Sequence, residues 1–150
     1  MTVRPAHCPA CTEAGAPVDR VTLEALLTAD GLRRGVPAQP RYCGNAECPI
    51  VYFDVEGGVT FTEPDLTVRV YGKHPDDAGT PVCYCFGVTV GAMVNGERAR
   101  ELRESVAREV QAQHCACEVK NPKGGCCLGD LVHLERRRES EVAALCCAAP

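Results

Sequence analysis

The sequence predicts an α+β fold of two small lobes, and three observations carry that expectation. Strand-like signals gather in the first half: the β-branched and aromatic run Ile50-Val51-Tyr52-Phe53, the short Val59-Thr60-Phe61, and Leu66-Thr67-Val68-Arg69-Val70-Tyr71, which alternates apolar and polar residues. From Thr89 onward the pattern turns mainly helical. Between the two, His74-Pro75-Asp76-Asp77-Ala78-Gly79-Thr80-Pro81 clusters Pro, Asp and Gly as a linker does. Strands first and helices second is the order of an α+β chain. The expected division is a first lobe over 1–80, a helical lobe over 81–135, and a charged helix end with a terminal tail over 136–150.

In chain order, Cys8-Pro9-Ala10-Cys11 opens a tight turn. Thr22 is expected to cap a helix carrying Leu23, Leu26 and Leu27, with Gly31 ending it. Pro37-Ala38-Gln39-Pro40 leads, extended, into Arg41-Tyr42-Cys43, and Glu56-Gly57-Gly58 marks the turn after the first strong strand. Thr89 caps a short helix to Val94, which Asn95-Gly96 breaks. Residues 97–112 form an amphipathic helix: Ala99, Leu102, Val106 and Val110 make a narrow apolar stripe, and Glu104 stands four residues before Arg108 in the favourable order for an ion pair. A loop follows over 115–127, and a final helix starts near Leu128 with Leu131, Val132 and Leu134 on its apolar side.

Twelve cysteines in six close pairs dominate the composition: Cys8/Cys11, Cys43/Cys48, Cys83/Cys85, Cys115/Cys117, Cys126/Cys127 and Cys146/Cys147. Thiols this close rarely bridge one another, because a disulfide needs a specific Cα separation and Cβ orientation. The N-terminus has no apolar stretch for an export signal, so the expected address is the cytoplasm, where thiols stay reduced and bind metal instead. With three phenylalanines, four tyrosines and no tryptophan, each half would bury little apolar surface and would gain from a metal staple. The net charge of −4 offers no footprint for nucleic acid, and no apolar run is long enough to insert in a membrane. Arg136-Arg137-Arg138 precedes Glu139 and Glu141 and reads as a solvated helix face. The four histidines are scattered, and no hydrolase triad or Gly-rich phosphate loop is present.

Cys8-x2-Cys11 and Cys43-x4-Cys48 supply four thiolates in two knuckles, the donor set of structural Zn2+. His7 stands beside Cys8 as a flanking residue. Pro9 and Gly44 suit the knuckle turns. Such a closed site holds a fold rather than catalyses. Cys83-Tyr84-Cys85 differs: with one intervening residue on an extended segment, both sulfurs are expected on one face. That spacing suits a two-iron cluster better than a zinc knuckle, with partners to be drawn from Cys115, Cys117, Cys126 and Cys127. Lys120 and Lys123 would offset the cluster's negative charge, Gly124-Gly125 would bring backbone N–H groups to sulfur, and the final helix would point its N-terminus at the site.

The segments Pro81-Val82-Cys83-Tyr84-Cys85-Phe86-Gly87-Val88-Thr89 and Cys115-Ala116-Cys117-Glu118-Val119-Lys120-Asn121-Pro122-Lys123-Gly124-Gly125-Cys126-Cys127-Leu128-Gly129-Asp130 resemble the N-terminal domain of archaeal CopZ-type copper chaperones. Cys8-Pro9-Ala10-Cys11 and residues 43–53 resemble that domain's zinc-binding portion, so the likeness spans about 7–132. It implies one zinc on Cys8, Cys11, Cys43 and Cys48, and one 2Fe-2S cluster on Cys83, Cys85, Cys117 and Cys127. The C-x-C followed by a later pair is also similar to bacterioferritin-associated ferredoxin, which closes with a C-x2-C that this chain lacks. The chaperones carry a further copper-binding domain with a Met-x-Cys-x-x-Cys loop; here the methionines are Met1 and Met93, so the expectation is a stand-alone N-terminal domain.

Cys115, Cys126, Cys146 and Cys147 remain as candidates for transient soft-metal capture, of Cu+ or Hg2+ as cargo. The Cys146-Cys147 pair, on an expected mobile tail, is similar to the terminal cysteine pair of mercuric reductases. Together these readings predict a redox-active metal carrier in copper or mercury trafficking or resistance. Its expected partner is a metal-transporting ATPase, a metal-resistance enzyme or a reductase. The alternatives are a ferredoxin-like electron-transfer module and a purely structural two-metal module.

Overall fold

The computed structural model describes residues 6–147, with side chains through residue 143. Its first half is built on a four-stranded antiparallel sheet in the order β1 (Ala16–Pro17), β2 (Pro40–Tyr42), β3 (Ile50–Asp54) and β4 (Thr60–Thr62). β3, the β-branched and aromatic run, is the strand buried on both faces. Ile50 and Phe53 pack toward the cysteines of the knuckles, while Val51 and Tyr52 join Leu23, Leu27, Tyr42, Phe61, Leu66 and Val70 in the main core of this half. Phe61, Leu23 and Tyr52 are fully buried. Burying side chains of that size contributes about 1.5–3 kcal/mol apiece.

Two expected elements of this half form differently. In place of one helix capped by Thr22 and ended by Gly31, there are two: α1 (Arg20–Leu26), preceded by Asp19, and α2 (Ala29–Arg33), capped by the Thr28 side chain. Leu27 is extended between them because its partner is Leu66, with which it forms an isolated β-bridge. The expected strand over 66–71 does not form either. Its backbone donors go elsewhere: Thr67 N–H to the Leu26 carbonyl, Val70 N–H to the Glu63 carboxylate, and Tyr71 N–H to the Tyr84 hydroxyl. Short 3-10 turns at Glu63–Asp65 and Tyr71–Lys73 bracket the segment, while Leu66 and Val70 still reach the core.

Residues 74–80, the expected linker, are hydrogen-bonded turns in which Thr80 is fully buried and Asp77 accepts from the Thr80 hydroxyl. A small hairpin of β5 (Pro81–Cys83) and β6 (Val88–Thr89) follows. Then come α3 (Val90–Val94), α4 (Ala99–Gln111), the single turn α5 (Cys117–Lys120) and α6 (Leu128–Cys147). Thr89 caps α3 by accepting from Ala92 N–H, and Asn95 ends it. Val82, Val88, Val90, Met93, Ala99, Val106, Leu131 and Leu134 form the second core, which also encloses Cys83 and Cys127. Glu104 pairs with Arg100 rather than with Arg108. Arg103 pairs instead with the buried Glu135 across α4 and α6. Arg136 is exposed, and Arg137 bonds Asp76 and Glu141. No helix among the described residues is long and apolar enough to cross a membrane.

Candidate metal centres

Four sulfurs meet at the end of the sheet where β2 connects to β3. Cys8 and Cys11 lie on a turn closed by Cys8 N–H to the Glu13 carbonyl (2.8 Å) and Thr12 N–H to the Cys8 carbonyl (2.9 Å). Cys43 and Cys48 lie on the connection from β2 to β3, where Cys43 N–H reaches the Val51 carbonyl (2.8 Å). The left-handed backbone of the first knuckle falls on Thr12 (φ 66°), and Gly44 has no positive φ, so the glycine's conformational freedom is not what shapes its turn. All four Sγ atoms lie within 4.8 Å of one another. Cys11 and Cys43 are 3.6 Å apart, and Cys8 and Cys48 are 3.8 Å apart. A tetrahedral ion with Zn–S bonds of about 2.3 Å needs sulfurs about 3.8 Å apart, so this donor set fits zinc.

Backbone N–H groups two residues on point back at three of these sulfurs: Glu13 at Cys11, Asn45 at Cys43 and Ile50 at Cys48. Burial pushes the Cys43 thiol up to about 12 and raises Cys48 as well. The Glu13 N–H draws the more open Cys11 down to about 7. A divalent cation would replace the thiol protons and supply the charge that burial otherwise opposes. His7 stays outside the cage, its Nδ1 3.0 Å from the Thr12 carbonyl oxygen.

The second group is arranged by pairs. Cys83 closes β5, and Cys85 sits in the turn 84–87, so the two are not on one extended strand as the spacing implied. Cys85 Sγ is 3.9 Å from Cys117 Sγ at the start of α5. Cys83 and Cys127, the residue preceding α6, share one buried core and perturb each other's ionisation. Among the described residues no second set of three or more ligand atoms shares the 4.8 Å closeness of the first cage. The neighbouring Cys127 side chain draws Cys83 down to about 6, and Cys127 is raised in return. Burial pushes Cys117 up to about 12. Cys83, Cys117 and Cys127 are buried, Cys115 is half-buried and Cys126 is exposed.

The surroundings differ from expectation. Gly124 N–H bonds the Asn121 carbonyl rather than a sulfur. The donor to Cys85 Sγ is Ala116 N–H (3.2 Å), and Phe86 and Cys85 N–H groups serve Cys83. Lys123 is engaged by Asp130, and Lys120 is exposed, with no ion pair among the described residues. His114 is exposed and bonds Glu109. The side chains of Cys146 and Cys147 lie outside the described residues; the backbone of α6 runs through both, where a mobile tail was expected.

A family model described as a zinc binding domain, zf_CopZ, matches residues 5–67, the stretch that contains the four-sulfur cage. The solved N-terminal domain of CopZ from Archaeoglobus fulgidus superposes with a TM-score of 0.67 at 30% identity, covering 85% of this chain and 96% of that one. The chain belongs to the CopZ N-terminal domain family. The copper chaperone CopZ of the same organism is 31% identical over 132 residues, 87% of this chain. The chain spans 60% of the length of that CopZ relative. The CopZ likeness, over 85–87% of this chain, extends well beyond the zinc binding stretch.

Proposed function

We propose that this chain is a cytosolic metal-carrier module in which the two halves act as separate lobes. In this reading residues 1–80 are a zinc lobe, with Zn2+ held by Cys8, Cys11, Cys43 and Cys48 as a scaffold. Residues 81–135 are a cluster lobe, and 136–150 are the helix end and thiol tail. The pairing of sulfurs carries the second assignment. A two-iron cluster takes two thiolates on each iron, so its four ligands come as two close pairs and not as one tight tetrahedron. Cys85 and Cys117, 3.9 Å apart, supply one such pair, and Cys83 and Cys127, neighbours in one buried core, are proposed as the other. A mononuclear zinc would need all four sulfurs mutually close, so the arrangement disfavours a purely structural two-zinc module.

When bound, the cluster supplies single electrons, the change that converts Cu(II) to Cu(I). The chain's own residues aim Ala116, Phe86 and Cys85 N–H groups at the sulfurs, which favours a reduced and more negative centre, while burial of three of the four sulfurs works against it. A copper chaperone among the relatives makes a soft metal ion the cargo of this reading, with Cu+ favoured over Hg2+. Cys126, exposed, and Cys115, half-buried, stand beside the pairs as thiols for its capture, with Cys146 and Cys147 proposed on sequence grounds. The receiving partner would be a metal-transporting ATPase, a metal-resistance enzyme or a reductase.

A second reading, a ferredoxin-like carrier, is favoured by one observation. Phe86, next to Cys85, is 39% exposed and borders a hollow of about 350 Å³ with Val88, Leu102, Ser105, Val106 and Glu109, a mixed apolar and polar surface beside the site. Anaerobic purification with metal analysis tests both. A brown protein with about two irons per zinc supports the cluster, and a colourless zinc-only protein refutes it. Cupric ion added to protein first reduced with dithionite and freed of excess reductant then separates the readings: Cu(I) retained on the protein, one per cluster oxidised, supports the carrier, and reduction without retention supports the ferredoxin.

A further inference from the structure

The cysteines alone do not explain how the paired site keeps its shape. α5 is a single turn, too short to be stable by itself, and Cys85 and Cys127 sit in turns. The segments bearing the four thiols are held instead by hydroxyl groups. The Tyr52 hydroxyl, from β3, donates to the Pro122 carbonyl (2.5 Å), and the Thr22 hydroxyl, from α1, donates to the Glu118 carbonyl (2.6 Å). Both residues are fully buried, so neither bond has water as a substitute. Gly124 packs so closely on this patch that a Cβ would fall 2.9 Å from Val18 and 3.1 Å from the Thr22 hydroxyl, and its φ is +72°. The loop carrying Cys117 and Cys127 is therefore clamped to the sheet half.

The other two thiols are tied to the same half through Tyr84, which stands between them. Its hydroxyl donates to the Arg69 carbonyl (2.5 Å) and accepts from Tyr71 N–H (3.0 Å). The Tyr71–Lys73 turn is gripped on its far side by the second knuckle. Lys73 Nζ donates to the Asn45 carbonyl (2.7 Å), and Gly72 lies so near Tyr42 that a Cβ would come within 2.1 Å of the hydroxyl. Tyr42 adjoins Cys43. A continuous chain of contacts thus runs from the four-sulfur cage to Cys83 and Cys85, and the Tyr52 and Thr22 clamps run from the sheet to Cys117 and Cys127.

We propose that Tyr84, Tyr52 and Thr22 are positioning residues through which the zinc-bound knuckles hold the paired thiols in cluster-binding geometry, so that zinc loading precedes and protects cluster loading. This rests on the two-metal reading above. The full chain, reconstituted anaerobically with iron and sulfide, is tested by the rate at which an iron chelator bleaches its visible absorption. Wild-type protein loaded with zinc first should bleach about tenfold more slowly than protein reconstituted without zinc, the scale of two or three hydrogen bonds. Tyr84→Phe/Tyr52→Phe should keep its zinc and far-UV circular dichroism, yet bleach at the fast rate with altered visible circular dichroism of the cluster. Equal bleaching of zinc-loaded variant and wild type would overturn the proposal, as would indifference of the wild type to zinc. Should the double variant not take zinc, the near-isosteric Thr22→Val is read the same way: about threefold faster bleaching with zinc retained supports the proposal, and an unchanged rate overturns it. A wild type that takes zinc but no iron in any order would instead refute the cluster assignment, and the proposal with it.

Discussion

The two sulfur groups differ in how the chain supports them. The cage of Cys8, Cys11, Cys43 and Cys48 stands on local structure: each knuckle is a few residues long, closed by its own backbone bonds and anchored on the β2–β3 connection. Both groups join sulfurs more than thirty positions apart, but that of Cys83, Cys85, Cys117 and Cys127 stands on distant structure, its loops pinned by side chains of the sheet half. Local support makes a rigid site that is set by short spacing. Support from afar makes a site whose geometry depends on the rest of the fold, which suits a centre that must load and exchange.

The largest effect separating the two is expected from Cys43→Ser. Structural zinc contributes roughly 10–16 kcal/mol of apparent binding energy in zinc-finger peptides. Loss of one ligand should therefore remove zinc and abolish the cooperative melt of the whole chain, as followed by zinc content and circular dichroism. Next, Cys127→Ser should eliminate visible absorption while zinc stays near one per chain, whereas Cys126→Ser should leave the colour intact. If Cys126→Ser bleaches the protein instead, the paired arrangement is wrong.

A smaller effect tests the helical half without touching sulfur. Glu135 is 9% exposed and meets Arg103 through two of its guanidinium nitrogens. Glu135→Gln should cost about 2 kcal/mol in a urea titration, since it leaves a partly buried guanidinium with a weaker partner. The smallest effect lies in the sheet half. Burial works to raise Asp65, but Thr62 N–H and Arg34 outweigh it and hold the carboxyl below its usual range. Its stabilisation is complete above the ordinary carboxylate pKa of about 3.9 and is lost as pH falls through the lowered folded value. Asp65→Asn should cost under about 1 kcal/mol at pH 7 and flatten the stability profile at the acid end. Chemical denaturation at a series of pH values measures both.

The contrast in support also explains what was legible in the sequence. The knuckle spacings pointed to the four sulfurs that the fold gathers, because two short loops can be read from their own residues. The β3 run and the stripe of α4 were legible for the same reason: burial imposes its period directly on the chain. The segment 66–71 misled because alternation reports burial on one side and says nothing of where the backbone N–H groups bond. Likewise the single helix expected from Thr22 to Gly31 is split by the Leu27–Leu66 bridge, a contact no local pattern announces. Thr22 itself reads as a cap and is instead a buried donor to Glu118, 96 residues away.

By itself the sequence determined the class of elements, the six cysteine pairs and the two knuckles, since these depend on neighbours within a few residues. Tertiary structure decided that Cys117 and Cys127 are the buried thiols of their pairs, as the CopZ resemblance implied, that Cys85 meets Cys117, and that hydroxyls of the sheet half hold the loop there. The reason is physical: adjacent cysteines share composition, spacing and propensity, and only packing against distant residues makes one of them buried and the other free.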